Sequence, residues 1–204
     1  MFLEQVGGVD YLAFLLPGLL TMSSMNQAYG IATEINISRF YFKVFEEYLL
    51  APLQRWQIIV GETCYGITRG FLPVLIIGIY SLFCGVNLQL NAFFFLALLF
   101  HLAIFALLGF IAAMIVKSHS DQATINAFLI TPMMFLSGTF FPVDQMPLAI
   151  RIVASIFPLT YTTQLIRATL TPGAEVSYML FGVLALILIA LFFIAKQIVA
   201  KVEI

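Results

Sequence analysis

Hydrophobic residues fill this chain in long blocks, with the charged residues set between them. Between Asp10 and Glu34 stand 23 uncharged residues, YLAFLLPGLLTMSSMNQAYGIAT. Between Arg69 and Lys117 stand 47, too many for one crossing, because about 20 apolar residues span a hydrocarbon core. The stretch CGVNLQLN at 84–91 supplies a turn inside that block. Another 22 uncharged residues run from Gln122 to Val143, and VSYMLFGVLALILIALFFIA occupies 176–195. The pattern predicts an all-α, polytopic helical membrane protein forming a single transmembrane domain over 1–204, with five transmembrane helices near 11–33, 62–84, 91–116, 122–141 and 176–195. The second half of the first span is polar (Thr21, Ser23, Ser24, Asn26, Gln27) and is expected to face other helices rather than lipid.

Two segments stand outside these spans. FEEYLLAPLQRWQIIVGE, 45–62, gathers three carboxylates and an arginine among apolar residues. Pro52 lacks an amide hydrogen and disfavours helix at Ala51, so the segment divides there, with Pro52 expected to open the second helix. Leu53, Trp56, Ile59 and Val60 fall on one face of that helix, and Phe45, Tyr48 and Leu49 form the apolar face before it. The result is an amphipathic elbow over 45–61 lying along the membrane, with Trp56 at headgroup level. It is either an interfacial anchor or a docking surface for a partner, and periodicity does not separate the two. The second segment, 142–172, is rich in proline and interrupted by Arg151 and Arg167. It is too broken for a crossing and too apolar for a free loop, so it predicts re-entrant helices dipping into the outer leaflet.

Composition agrees with lipid as the solvent: 62% of residues are hydrophobic and 9% charged, against about 25% charged in soluble domains. Lysine and arginine orient the spans. With the C-terminus cytoplasmic, the inner side receives Arg39, Lys43, Arg55, Lys117, Lys196 and Lys201 and the outer side only Arg151 and Arg167, while Arg69 falls inside a span. A net charge of −1 offers no basic field for nucleic acid. Cys64 and Cys84 lack metal or redox spacing and are expected to be buried free thiols. The N-terminus has no positive region and is no signal peptide.

Intramembrane enzymes are the competing class. None of the four lysines follows a glycine, so there is no phosphate-cradling GxxxxGK[ST] loop and energy must come from elsewhere. His101 and His119 have no HExxH neighbours, the EExxxR pattern begun by Glu46–Glu47 fails at Ala51, and GxSG is absent. His119 and Asp121 read as a polar turn. His101 reads as a hydrogen-bonded structural histidine or as a proton or substrate group. Arg69 lies about 10 Å along the helix from Glu62, too far for pairing. It therefore snorkels, pairs with another helix, or transmits motion from the elbow. Gly66 and Gly70 form a GxxxG that permits close helix packing.

FLLPGLL at 14–20, the elbow FEEYLLAPLQRWQIIVGE, LSGTFFPVDQMP at 136–147 and FPLTYTTQLIR at 157–167 together resemble the ABC-2 type permeases. These are membrane subunits of ATP-binding-cassette exporters, and the likeness is to the daunorubicin and nodulation lipo-oligosaccharide type. The family's E-x-L-x-x-x-P pattern is approximated by Glu47, Leu49 or Leu50, and Pro52, with the proline one residue early, and Gly61 follows; Phe157 stands where asparagine is common. The resemblance implies a non-enzymatic permease that pairs with a second copy and needs no cofactor of its own, because ATP is bound by a separate ATPase subunit. It implies that Glu46, Glu47, Pro52 and Arg55 meet that ATPase, and that an amphipathic or lipid-linked substrate crosses a bacterial plasma (inner) membrane. Ser23, Ser24, Asn26 and Gln27 are the expected path or seam surface. The chain opens where the family's second span begins, so either Met1 is not the natural start or the first helix is supplied otherwise. The alternatives are an intramembrane enzyme and a non-transporting membrane anchor.

Overall fold

The computed structural model describes residues 5–6, 9–86, 88–171 and 173–201. Apart from a two-residue antiparallel pairing of Gln5–Val6 with Val9–Asp10, the described residues build only helices. The first span is α1, Tyr11–Tyr29, followed after Gly30 by α2, Ile31–Phe40. The elbow begins with α3, Val44–Leu50. Then come α4, Arg55–Phe83, and α5, Ala92–Ile115. Next is a broken helix: α6, His119–Ile125, a π turn at Asn126–Ile130, and α7, Thr131–Leu136. A bent pair follows, α8, Leu148–Ile156, and α9, Pro158–Leu170, before α10, Tyr178–Lys201.

The centre of the molecule is α5, whose Phe94, Leu98, Leu102, Ile104, Phe105 and Phe110 are fully buried. Around it stand α1, α2, α4, α9 and α10. Missing side chains are what bring α1 and its neighbours together. A Cβ on Gly66 would lie 2.7 Å from the Ala106 Cβ, and one on Gly70 would lie 2.4 Å from a Leu102 methyl. The GxxxG of α4 therefore does seat it against α1 and α5, as small residues do where lipid removes the hydrophobic drive.

Among the described residues, three helices have the length and apolarity of a membrane span: α4, α5 and α10, or four if the bent pair counts as one. The first span, at 19 residues in α1, is polar in its second half, and the expected helix at 122–141 is broken by the π turn. The two halves of the 142–172 segment meet at 90°. Pro158 opens α9, and side chains of α9 take up the last carbonyls of α8. The Thr160 hydroxyl donates to the Ala154 carbonyl at 2.6 Å and the Tyr161 hydroxyl to that of Ser155 at 2.7 Å.

The elbow differs from expectation in its second half. Pro52 does not begin a helix. It lies in an extended link after Ala51 (φ −67°, ψ 153°), and Gln54 caps α4 through a reciprocal capping box with Gln57. Residues 55–61 are the first two turns of α4, because nothing in RWQIIVGE interrupts the helical ladder that continues into the span. The buried face there is Ile58 and Ile59, while Leu53, Trp56 and Val60 are exposed. The cysteines are free but not buried: Cys64 is exposed and Cys84 half-buried. In lipid an apolar sequence neighbourhood does not mean burial in protein, so that inference from composition fails.

Candidate coupling elbow and its polar supports

The elbow side chains sit at one end of the molecule. In α3, Phe45 is 2% exposed and anchors the helix in the core, its ring edge-on to Tyr48 at 6.1 Å. Lys43 turns the chain into α3 with φ of 56°, the left-handed region a lysine adopts only at a cost. Glu47 is exposed on this helix, whereas the side chain of Glu46 lies outside the described residues. Arg55 reaches across to α10 and donates to the Ala200 carbonyl at 2.8 Å, which satisfies one of the free carbonyls at that helix end. Pro52 is exposed in the link between α3 and α4. The four residues thus share one end, where Glu47 and Pro52 are exposed and Arg55 is engaged with α10.

The same end collects basic residues. Arg39 donates to the Ala113 carbonyl at the end of α5. Lys117 follows α5, and its backbone N–H donates to the Asp121 carboxylate at 3.1 Å. Ser118 caps α6 by accepting from the Asp121 N–H. KSHSDQ is polar as expected but is not simply a turn: Ser118 caps α6, and His119–Gln122 form that helix's first turn. Beneath the elbow lies a groove of about 610 Å³, lined by Glu34 and Ser38 of α2, Tyr48 of α3, and Gln57, Glu62 and Tyr65 of α4.

Further into the span, the polar half of α1 divides. Ser24 is fully buried: its hydroxyl donates to the Leu20 carbonyl at 2.6 Å and lies 3.0 Å from His101 Nε2 on α5. His101 is therefore a hydrogen-bonded member of the helix seam, set against the Phe105 ring at 4.9 Å. Thr21 meets Thr163 of α9 at 3.1 Å. Gln27 accepts from Arg69, whose guanidinium pairs with Glu34 of α2. Arg69 thus pairs with another helix, one of the outcomes its position in the sequence allows. Ser23 is half-buried and Asn26 exposed, so of the four residues expected to form a path or seam these two face outward. Glu34, Tyr29, Asn36 and Gln122, which complete the polar supports, were not singled out from the sequence. The available signal was the rarity of such groups within or beside apolar spans.

At the opposite end, Arg167 of α9 lies 3.8 Å over the Phe14 ring and donates to the Gly138 carbonyl at 2.9 Å. Asn91 donates to the Thr169 carbonyl at 3.0 Å, tying the start of α5 to α9.

A helical, lipid-embedded bundle with an exposed bent elbow at one end and a bent helix pair at the other defines an integral membrane protein of the permease class. The sequence model of the ABC-2 type transporter family matches residues 1–171, and the chain belongs to that family. It is 31% identical to nodulation protein J of Rhizobium leguminosarum bv. viciae, over 97% of this chain and 77% of that protein. It is 26% identical to the inner membrane transport permease YadH of Escherichia coli K12, over 95% of this chain and 77% of that protein. The nodulation protein J of Rhizobium meliloti is 28% identical over 82% of this chain and 64% of its own length. No solved structure matches the chain.

Proposed function

We propose that this chain is the permease subunit of an ATP-driven exporter in a bacterial plasma membrane, worked through its elbow by a separate ATPase subunit and paired with a second permease copy. The observation that carries the reading is the exposed elbow of α3 and the Ala51–Gln54 link, set between the first span and α4 in a chain of the ABC-2 type transporter family. The name of YadH as an inner membrane transport permease supports the location. A cytoplasmic position for the elbow end is supported by its basic residues under the positive-inside rule.

In this reading the crossings are five: α1 with α2, α4, α5, α6 through α7, and α10. The bent pair α8–α9 roofs the outer side. ATP binding draws two ATPase subunits together and with them two elbows. Phe45 fixes α3 in the core, so the displacement passes to the helices and the path between the two permeases reopens outward. Glu47, with its neighbour Glu46 and with Pro52, meets the ATPase. Arg55 supports the elbow from behind by holding the end of α10. Ser23 and Asn26 face the path or the seam. The cargo is amphipathic or lipid-linked: a drug, a lipid, or a glycolipid or polysaccharide.

Glu47→Lys tests the docking role, because it reverses a charge on an exposed helix without touching the core. The expected result is loss of ATPase stimulation and of export in proteoliposomes, with unchanged insertion and unchanged gel-filtration behaviour of the permease. Stimulation and export equal to the parent would remove the elbow from the interface.

A further inference from the structure

The first span is interrupted once, at Gly30. The Gly30 N–H still donates to the Asn26 carbonyl at 3.0 Å, but the Thr33 N–H turns to the Gly30 carbonyl at 3.1 Å. The helical ladder tightens there by one residue, a feature that marks joints in long helices. Two unconnected helices bracket this break. From α4, the Arg69 guanidinium holds Gln27, just before the break, at 3.1 Å, and pairs with Glu34, just after it. The Tyr65 hydroxyl donates to the other Glu34 oxygen at 2.7 Å. From α6, the Gln122 amide donates to the Tyr29 hydroxyl at 2.9 Å and accepts from the Asn36 amide at 2.9 Å. Each clamp therefore grips one residue on either side of the same glycine.

Helix association alone asks for one polar contact between two helices, not for a donor shared across a break in the partner. We propose that Arg69 and Gln122 are positioning residues that set the angle at Gly30, and that this joint passes displacement of the elbow into α1. The inference rests on the coupling role proposed for the elbow. The route is continuous: α2 runs from Gly30 to Phe40 and reaches α3 within a few residues. The chemistry suits a joint that must move. An ion pair is stronger than a bond to a neutral amide, so Arg69 can release Gln27 while keeping Glu34. The half-buried charge then stays paired through the stroke, and only a weaker bond is exchanged.

The test uses the full chain in nanodiscs, with Cys64 and Cys84 replaced by serine and spin labels on Leu12→Cys and Phe40→Cys, both exposed positions either side of the joint. Without nucleotide the parent is expected to give one narrow distance, and Arg69→Gln and Gln122→Leu each a broadened one. The exchanged pair Glu34→Arg with Arg69→Glu should restore the narrow distance, because the Gln27 amide can donate as well as accept. With the ATPase present, Arg69→Gln and Gln122→Leu should keep ATPase stimulation but lower transport per ATP by about three- to tenfold. Distances as narrow as the parent's in both single variants, no recovery in the exchanged pair, or an unchanged transport ratio would each overturn the proposal. A silent Glu47→Lys would instead fell the elbow reading, and the label distances measured on the chain alone would still decide whether the joint is clamped.

Discussion

Helices α5 and α10 are each 24 residues long and strongly apolar, yet they live in different surroundings. In α5, 72% of the most apolar stretch is buried inside the chain; in α10 the share is 11%. Hydropathy does not separate them, because lipid tails are as apolar as leucine and burial in protein brings no transfer gain. What separates them is fine texture. Along α5, Ala103, Ala106, Gly109, Ala112 and Ala113 leave room for neighbouring backbones, and His101 Nε2 lies within hydrogen-bond distance of the Ser24 hydroxyl. Gly182 of α10 meets no comparable partner: nothing lies within 4 Å of a Cβ placed on it, and the buried residues of the helix are just Leu184, Ala195 and Val199. In this bundle, position in the core follows from small residues and matched polar pairs, and the long aliphatic side chains fill whatever surface remains.

The sharpest way to break that contrast is to place the same side chain on each helix. A Cβ on Gly109 would sit 2.5 Å from the Tyr29 carbonyl oxygen, a backbone atom that cannot step aside. Gly109→Leu should cost about 3 kcal/mol or more by overpacking, read as a large drop in folded protein on fluorescence-detected gel filtration and in denaturant midpoint. Gly182→Leu should be silent in both measurements, within about 0.5 kcal/mol. Equal damage from the two would mean that α10 is packed by something beyond this chain.

A smaller effect is expected from the polar seam. Ser24→Ala leaves His101 Nε2 without its bond in a fully buried place, at a cost of about 1–2 kcal/mol in unfolding free energy. Ile189→Ala on the lipid-facing side of α10, where Ile189 is 53% exposed, should cost about 1 kcal/mol or less, since lipid replaces the lost contacts. A seam variant no more costly than the lipid-face variant would show that the Ser24–His101 contact does not order the core.

The smallest effect belongs to a helix end. Ser118→Ala removes the cap of α6 and should cost about 1 kcal/mol, visible as faster amide exchange confined to residues after Lys117. Exchange spreading into α5 would join the two regions that the contrast treats as separate.

How far the sequence carried depends on which physical signal each feature leaves. The α5 boundaries were legible to within a residue, because Asn91 caps the helix by accepting from the Phe94 N–H at 2.8 Å and Lys117 closes the apolar run. The close packing at Gly66 and Gly70 left a local signal too, the GxxxG spacing, whereas the prolines of 142–172 marked that segment as broken without locating its bend at Phe157–Pro158. Elsewhere, local signals competed with tertiary ones. Pro52 pointed to a helix start, and the capping pair Gln54–Gln57 set it at Arg55 instead. Periodicity sets Trp56 and Ile59 on one apolar face, and it does not tell that Ile59 alone of the two meets the core while Trp56 stays exposed. Of the elbow residues, Glu47 keeps the exposed position its charge suggests, whereas nothing local to Arg55 reveals that it reaches Ala200, a carbonyl 145 residues away.

Charge spacing and apolar length were enough to establish a helical chain embedded in lipid, because a hydrocarbon core demands long uncharged runs and tolerates little else. Those signals are carried by single residues and their near neighbours. Which helix became the centre, which polar groups found each other, and where the first span bends were decided only in three dimensions. Lipid rewards an apolar side chain about equally whether it faces tails or another helix, so the choice falls to shape and to polar pairing between residues distant in sequence.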